Sequence, residues 1–230
     1  MKHNIEVKGP IISNDEAWIY EWFEMDATSP SRVSKALAEA NGEDVIVSIN
    51  SPGGYVHDGS EIYTAIKNYS GNVEVQIVGL AASAASVIAM AGDKVRISPT
   101  GQMMIHNASM LGHGDHRDMT KASQVLRTTD KTIVNAYVIK SGKSEDELLS
   151  MMAEETWMSP QQALEHKLVD EIMFIDNTVK ISAYSAAPNM IPQKVIDSIR
   201  NKVMNEKKSE EKEGLSSIAR AFLNSYSNKL

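Results

Sequence analysis

Asp44-Val45-Ile46-Val47-Ser48-Ile49-Asn50-Ser51-Pro52-Gly53-Gly54 is the stretch that decides the fold. Its first half is a β-branched run, which reads as a buried strand. Its second half is a strong turn signal: Pro52 fixes φ, while Gly53 and Gly54 open backbone conformations closed to other residues. Just downstream, Ile62, Ala65 and Ile66 recur at helical spacing, and that helix stops before Gly71. The same sentence is then repeated. Val73-Glu74-Val75-Gln76-Ile77-Val78 reads as a strand, Gly79-Leu80-Ala81-Ala82 as a turn, and about Ser83 to Ala91 as a small-residue helix. Strand, turn and helix in repetition predict an α/β protein with a parallel sheet and helices packed on it.

Farther out, the first strand begins near Ile5, and Lys94-Val95-Arg96-Ile97-Ser98 and Met103-Met104-Ile105-His106 are two more short strands. A long helix is expected from about Asp115 to Lys140, with Ala122, Val125, Leu126, Thr129, Ile133, Ala136 and Tyr137 as its apolar stripe. Ser144-Glu145-Asp146-Glu147 and Ser159-Pro160 mark two further helix starts, and Leu168 to Phe174 a closing strand. Composition shifts after about Ala187. Asn205 to Gly214 is highly charged, and Leu215, Ile218, Ala219 and Phe222 then form a short amphipathic stripe. A main domain over 1–186 and a helical or partly disordered tail over 187–230 are expected.

The chain has 230 residues, 42% of them hydrophobic and 23% charged, so a core can form. The formal net charge of −7 disfavours nucleic-acid partners. There are no cysteines, which excludes thiol nucleophiles, disulfides and thiolate metal sites and suits a reducing cytoplasm. The most apolar stretch, Val78 to Ala91, falls well short of the ~20 residues of a membrane span. No membrane, metal or cofactor is expected.

Four positions can carry chemistry. The Pro52-Gly53-Gly54 turn can aim amide N–H groups at an oxyanion, although such turns also serve as plain connections. Ser83 sits where a strand runs into a helix, a place suited to a nucleophile and equally to an N-cap. Ser86 is its competitor, but a turn into the helix its hydroxyl should bond backwards to a carbonyl. His106 ends a strand near the carboxyl edge of a parallel sheet, where a general base is well placed. Glu154 and Glu155 precede Trp157 and a helix cap; either can orient a histidine, or simply complement the next helix dipole. His113 and His116 lie in a Gly-rich loop with no neighbouring ligand set.

Taken in order, Asn50-Ser51-Pro52-Gly53-Gly54, Gly79-Leu80-Ala81-Ala82-Ser83, Met104-Ile105-His106 and Glu155-Thr156-Trp157-Met158-Ser159 resemble the ClpP family of serine proteases, from about Ile5 to Phe174. Asp26-Ala27-Thr28-Ser29-Pro30, Ala91-Gly92-Asp93 and Ile97-Ser98-Pro99-Thr100 resemble its branch of phage head maturation proteases. The resemblance implies the ClpP/crotonase-like fold of repeated ββα units. It implies Ser83 as nucleophile, His106 as base, Glu155 as third member with Glu154 as alternate, and Gly54 and Ala84 as oxyanion donors. It further implies stacked homo-oligomeric rings, joined through the long helix, that cleave polypeptides. The early first strand leaves little chain for an axial segment, so the expectation is an ATP-independent endopeptidase processing capsid or scaffold proteins in the host cytoplasm or forming capsid. The alternatives are a general protein-degrading protease that needs an unfolding partner, a Ser–Lys peptidase, a crotonase-type acyl-CoA enzyme, and a non-catalytic capsid scaffold.

Overall fold

The computed structural model describes residues 3–175. The expected tail over 187–230 and the end of the expected main domain lie outside these residues. In chain order the elements are β1 (His3–Lys8), α1 (Ala17–Trp22), α2 (Pro30–Ala40), β2 (Val45–Ser51), α3 (Val56–Lys67), β3 (Val73–Ala82) and α4 (Ala84–Ala89). They continue with β4 (Lys94–Ile97), β5 (Gln102–Ile105), α5 (His116–Ser141), α6 (Glu145–Ala153), β6 (Thr156–Met158), α7 (Pro160–Glu165) and β7 (Glu171–Ile172).

The sheet runs β1-β2-β3-β4-β7, all parallel, as the repeated strand–turn–helix units predict. Along β2, Val45, Val47 and Ile49 are buried and the residues between them are only partly covered. In β3, Val73, Val75 and Ile77 behave alike. One face therefore packs under α2, α3 and α4, which bring Val33, Leu37, Ile62, Ile66 and Ile88 into the same core. Each such fully buried aliphatic side chain contributes about 1.5–3 kcal/mol. The opposite face carries the ion pairs from Arg96 to Glu74 and Glu171.

β3 is longer than its sequence suggests. Gly79 to Ala82, expected as a turn, continues the strand. A Cβ at Gly79 would lie 2.5 Å from Asn50 Oδ1, and the same oxygen accepts from Leu80 N–H at 3.1 Å, so glycine lets the strand pass close to β2. The length has a consequence for the sheet. The first half of β3 pairs with β4 through Glu74 to Ile77, and its end pairs with β5 through Leu80 to Ala82. β5 in turn pairs antiparallel with β6, the one departure from a parallel sheet among the described strands. The closing strand is shorter than expected: only Glu171 and Ile172 pair with β4, and Phe174 takes a positive φ that ends the extension.

Candidate active site

The split sheet brings Ser83 and His106 together. Ser83 follows β3 and His106 follows β5, the two strands pair directly, and Ser83 N–H extends that ladder by donating to Met104 C=O at 3.0 Å. Across this junction His106 Nε2 lies 2.7 Å from Ser83 Oγ. With Nε2 unprotonated, the serine hydroxyl donates to it. The hydroxyl is therefore used for the histidine and not as a helix cap: Ser83 is the N-cap of α4 but makes no side-chain capping bond. Its backbone is strained, at φ +55° and ψ −127°. Such a conformation costs about 1–3 kcal/mol and survives only where its surroundings hold it. Here the Ser83 carbonyl accepts from Ser86 N–H at 2.9 Å and from Ser86 Oγ at 2.6 Å. Ser86 thus bonds backwards, as its place in the helix predicts, and is no rival nucleophile.

The glycine turn packs directly on this serine. Gly53 has φ +92°, and a Cβ there would lie 2.6 Å from both Ala82 O and Ser83 Cβ. The turn is pinned from its other side. Ser51 Oγ donates to Gly9 C=O at 2.6 Å and accepts from Gly53 N–H at 3.1 Å, while Ile11 N–H donates to Gly53 C=O at 2.9 Å. A Cβ at Gly54 would fall 2.1 Å from Ile11 O. Among the described residues the amides of Gly54 and Ala84 donate to no other group, which leaves both available to an oxyanion. Ser51 is 1% exposed, and its role as the pin was not seen in the sequence; the signal was a hydroxyl at a strand end just before Pro52.

The carboxylate is where expectation and structure part. Glu154 and Glu155 are both exposed, and neither hydrogen-bonds to His106. Glu155 Oε1 instead accepts from the Trp157 indole N–H at 3.2 Å. The ladder stops one residue short of both: Ile105 pairs with Thr156, and Glu155, the residue before, takes φ +50°, outside the extended range. The expected Ser83–His106–Glu155 constellation is thus present as a hydrogen-bonded pair, with the carboxylate turned along the surface. Val56, Ala84, Val87, Ala108, Ile133 and Tyr137 line an apolar recess beside the pair.

Among the described residues no cluster of histidine, aspartate and glutamate could hold a metal ion, and no helix is long and apolar enough to cross a membrane. Residues 25–176 match the family Clp protease. The chain is 34% identical over 139 residues to an ATP-dependent Clp protease proteolytic subunit of Deinococcus radiodurans, covering 59% of this chain and 67% of that one. It is 32% identical over 134 residues to the like-named subunit of Bacteroides fragilis, covering 57% and 65%. It is 32% identical over 140 residues to an ATP-dependent Clp protease proteolytic subunit 1 of Chlamydia muridarum, covering 59% and 73%. The matched stretch spans about two thirds of the length of the first two relatives. Residues 25–176 contain the glycine turn, Ser83, His106 and the β6 segment, and the chain belongs to the Clp protease family.

Proposed function

We propose that the chain is a serine endopeptidase of the Clp type, with Ser83 as nucleophile and His106 as general base. The observation that carries this reading is the 2.7 Å Ser83–His106 hydrogen bond, formed on a strained strand-to-helix turn against a glycine turn whose Gly54 amide donates to no other group among the described residues. Ser83 Oγ attacks the scissile carbonyl as its proton passes to His106 Nε2. The oxyanion that forms is met by the amides of Gly54 and Ala84. The C–N bond then breaks, His106 protonates the leaving amine, and water hydrolyses the acyl-serine by the same path in reverse. Glu155 completes the site when its side chain leaves Trp157 and reaches His106; what supports this is its place one residue before the Thr156–Ile105 pair. The recess beside the pair is apolar, so the residue before the cleaved bond is expected to be uncharged and apolar.

The relatives are bacterial proteolytic subunits named as ATP-dependent. A multi-subunit assembly that degrades polypeptides is the reading they support. Processing of capsid or scaffold proteins during phage head maturation, without an ATPase, is the narrower proposal. It rests on the sequence resemblance at residues 26–30, 91–93 and 97–100.

Casein and a capsid precursor, incubated with the purified protein in the absence of ATP, test both levels. Cleavage by the wild type and a fall of about 10⁶-fold in Ser83→Ala and in His106→Ala is the expected result. Equal cleavage by wild type and Ser83→Ala would remove Ser83 as nucleophile. Cleavage of casein alone would leave the protease and remove the capsid role.

A further inference from the structure

One face of α5 holds both members of the Ser83–His106 pair from behind. Tyr137 is buried, and its hydroxyl lies 2.8 Å from Ser86 Oγ. Ser86 has a single hydroxyl proton, and it is directed to the Ser83 carbonyl at 2.6 Å. Tyr137 must therefore be the donor to Ser86. Burial pushes the Tyr137 phenol above its ordinary value, so this proton stays in place through the working pH range. The chain Tyr137 to Ser86 to Ser83 C=O ends on the strained peptide that aims the nucleophile.

The second hold is on the base. Asp130 Oδ1 accepts from Ala108 N–H at 2.7 Å, two residues after His106. Asn107 N–H also donates to Met152 C=O at 3.2 Å, so the segment leaving β5 is fixed on both sides of its path. Asp130 and Tyr137 are seven residues apart, about two helical turns, and so share one face of α5.

We propose that Tyr137 and Asp130 are positioning residues, which set the Ser83–His106 alignment by clamping the nucleophile turn and the base segment to one helix; this rests on the reading of that pair as catalytic. Tyr137 turns its ring to the recess beside the pair and its hydroxyl to Ser86, and Asp130 bonds the backbone. Tyr137 acts through Ser86, and Asp130 through the backbone that carries His106. A reacting geometry is sensitive to shifts of about 1 Å, so loss of either hold should lower turnover without weakening substrate binding.

The test is steady-state cleavage of a fluorogenic peptide by the full chain, with fluorophosphonate labelling of Ser83, thermal unfolding and NMR shifts of the His106 ring. Asp130→Ala should lower kcat about ten- to hundredfold with KM unchanged, and Asp130→Asn, which keeps an acceptor oxygen, should recover most of the rate. Ser86→Ala strands the Tyr137 hydroxyl and is expected to unfold early. Adding Tyr137→Phe removes both polar partners together and should restore Tm. In that double variant kcat should stay low although Tm returns. Recovery of kcat along with Tm, or an Asp130→Ala rate within about threefold of wild type, would reduce both residues to structural support. If wild type itself neither cleaves nor labels, the protease reading fails. The clamp is then judged by the ring's NMR shifts alone: Asp130→Ala should move them in the same sense as Ser83→Ala, and unchanged shifts would overturn the clamp.

Discussion

Glu155 shows how one side-chain rotation separates two chemical states. Its carboxylate accepts from the Trp157 indole on an exposed surface, and Trp157 is 50% exposed. A hydrogen bond of that kind contributes only about 0.5–1.5 kcal/mol net, so exchanging it for His106 costs little. Substitution of Trp157 by Phe removes the indole donor and frees the carboxylate. A carboxylate that reaches the histidine holds its useful tautomer and stabilises the imidazolium formed during attack, so kcat/KM should rise in Trp157→Phe. The double variant Trp157→Phe/Glu155→Gln should return it to the wild-type value or below. Equal kcat/KM in all three proteins would make Glu155 a surface carboxylate with no part in the site. A second residue-scale feature, the positive φ of Ser83, needs no such rotation, because the Ser86 and Met104 bonds already hold it.

At the scale of elements, α5 is built to end sharply at both ends. Asp115 caps it, accepting from the amides of Arg117 and Asp118 while Asp118 bonds back to the Asp115 amide. The Arg117 side chain and then those amides hold the Asp115 carboxyl below its ordinary value. A lowered carboxylate stabilises the fold above its unfolded value of about 3.9 and loses that contribution as pH falls through the folded value. Amide exchange over residues 116–119 should accordingly quicken in acid before the core opens, and equal protection at pH 6 and pH 2.5 would remove the cap from this account, both pH values being approximate settings around the aspartate range. At the other end Gly142 has φ +70° with nothing within 4 Å of a Cβ built on it. Gly142→Ala should cost about 1 kcal/mol in chemical denaturation, all of it conformational, and Gly142→Asn less. The long helix was legible in the sequence because its apolar stripe keeps one period. β6 was not, since three residues are too few to show a period, and its pairing with β5 is set by tertiary contact. α1 buries no residue and so leaves no core-facing pattern to read. α2 does leave one, in Pro30, Val33, Leu37 and Ala40. The same division runs through the site. Ser83 and His106 stand at strand ends, which local sequence marks. Tyr137 reads as one more member of the α5 stripe until Ser86 is seen 2.8 Å from it.

At the scale of the whole molecule, α5 divides into two parts with different partners. Ile133, Val134, Ala136, Tyr137 and Ser141 are buried against this chain, whereas no residue from His116 to Thr132 is. The outer part still carries apolar side chains: Val125 is 51% exposed and Met119 40%. A helix that leaves its own core for more than four turns is stable in water only if something else packs on it, because tertiary burial supplies most helical stability. In a family whose relatives are named as proteolytic subunits, a second copy of the same helix is the proposed partner. A charge placed on that face should then open the assembly without touching the site. Sedimentation velocity of the wild type should show a species several times the mass of the 25.3 kDa chain, and Val125→Glu a smaller one. The proposed holds on the pair come from both parts, Asp130 from the outer and Tyr137 from the inner, so a dissociated Val125→Glu should also label more slowly with a fluorophosphonate. Unchanged mass would mean that the outer half of α5 joins nothing. Reduced mass with unchanged labelling would mean that it joins subunits but transmits nothing to the pair, leaving the clamp to act within one chain alone.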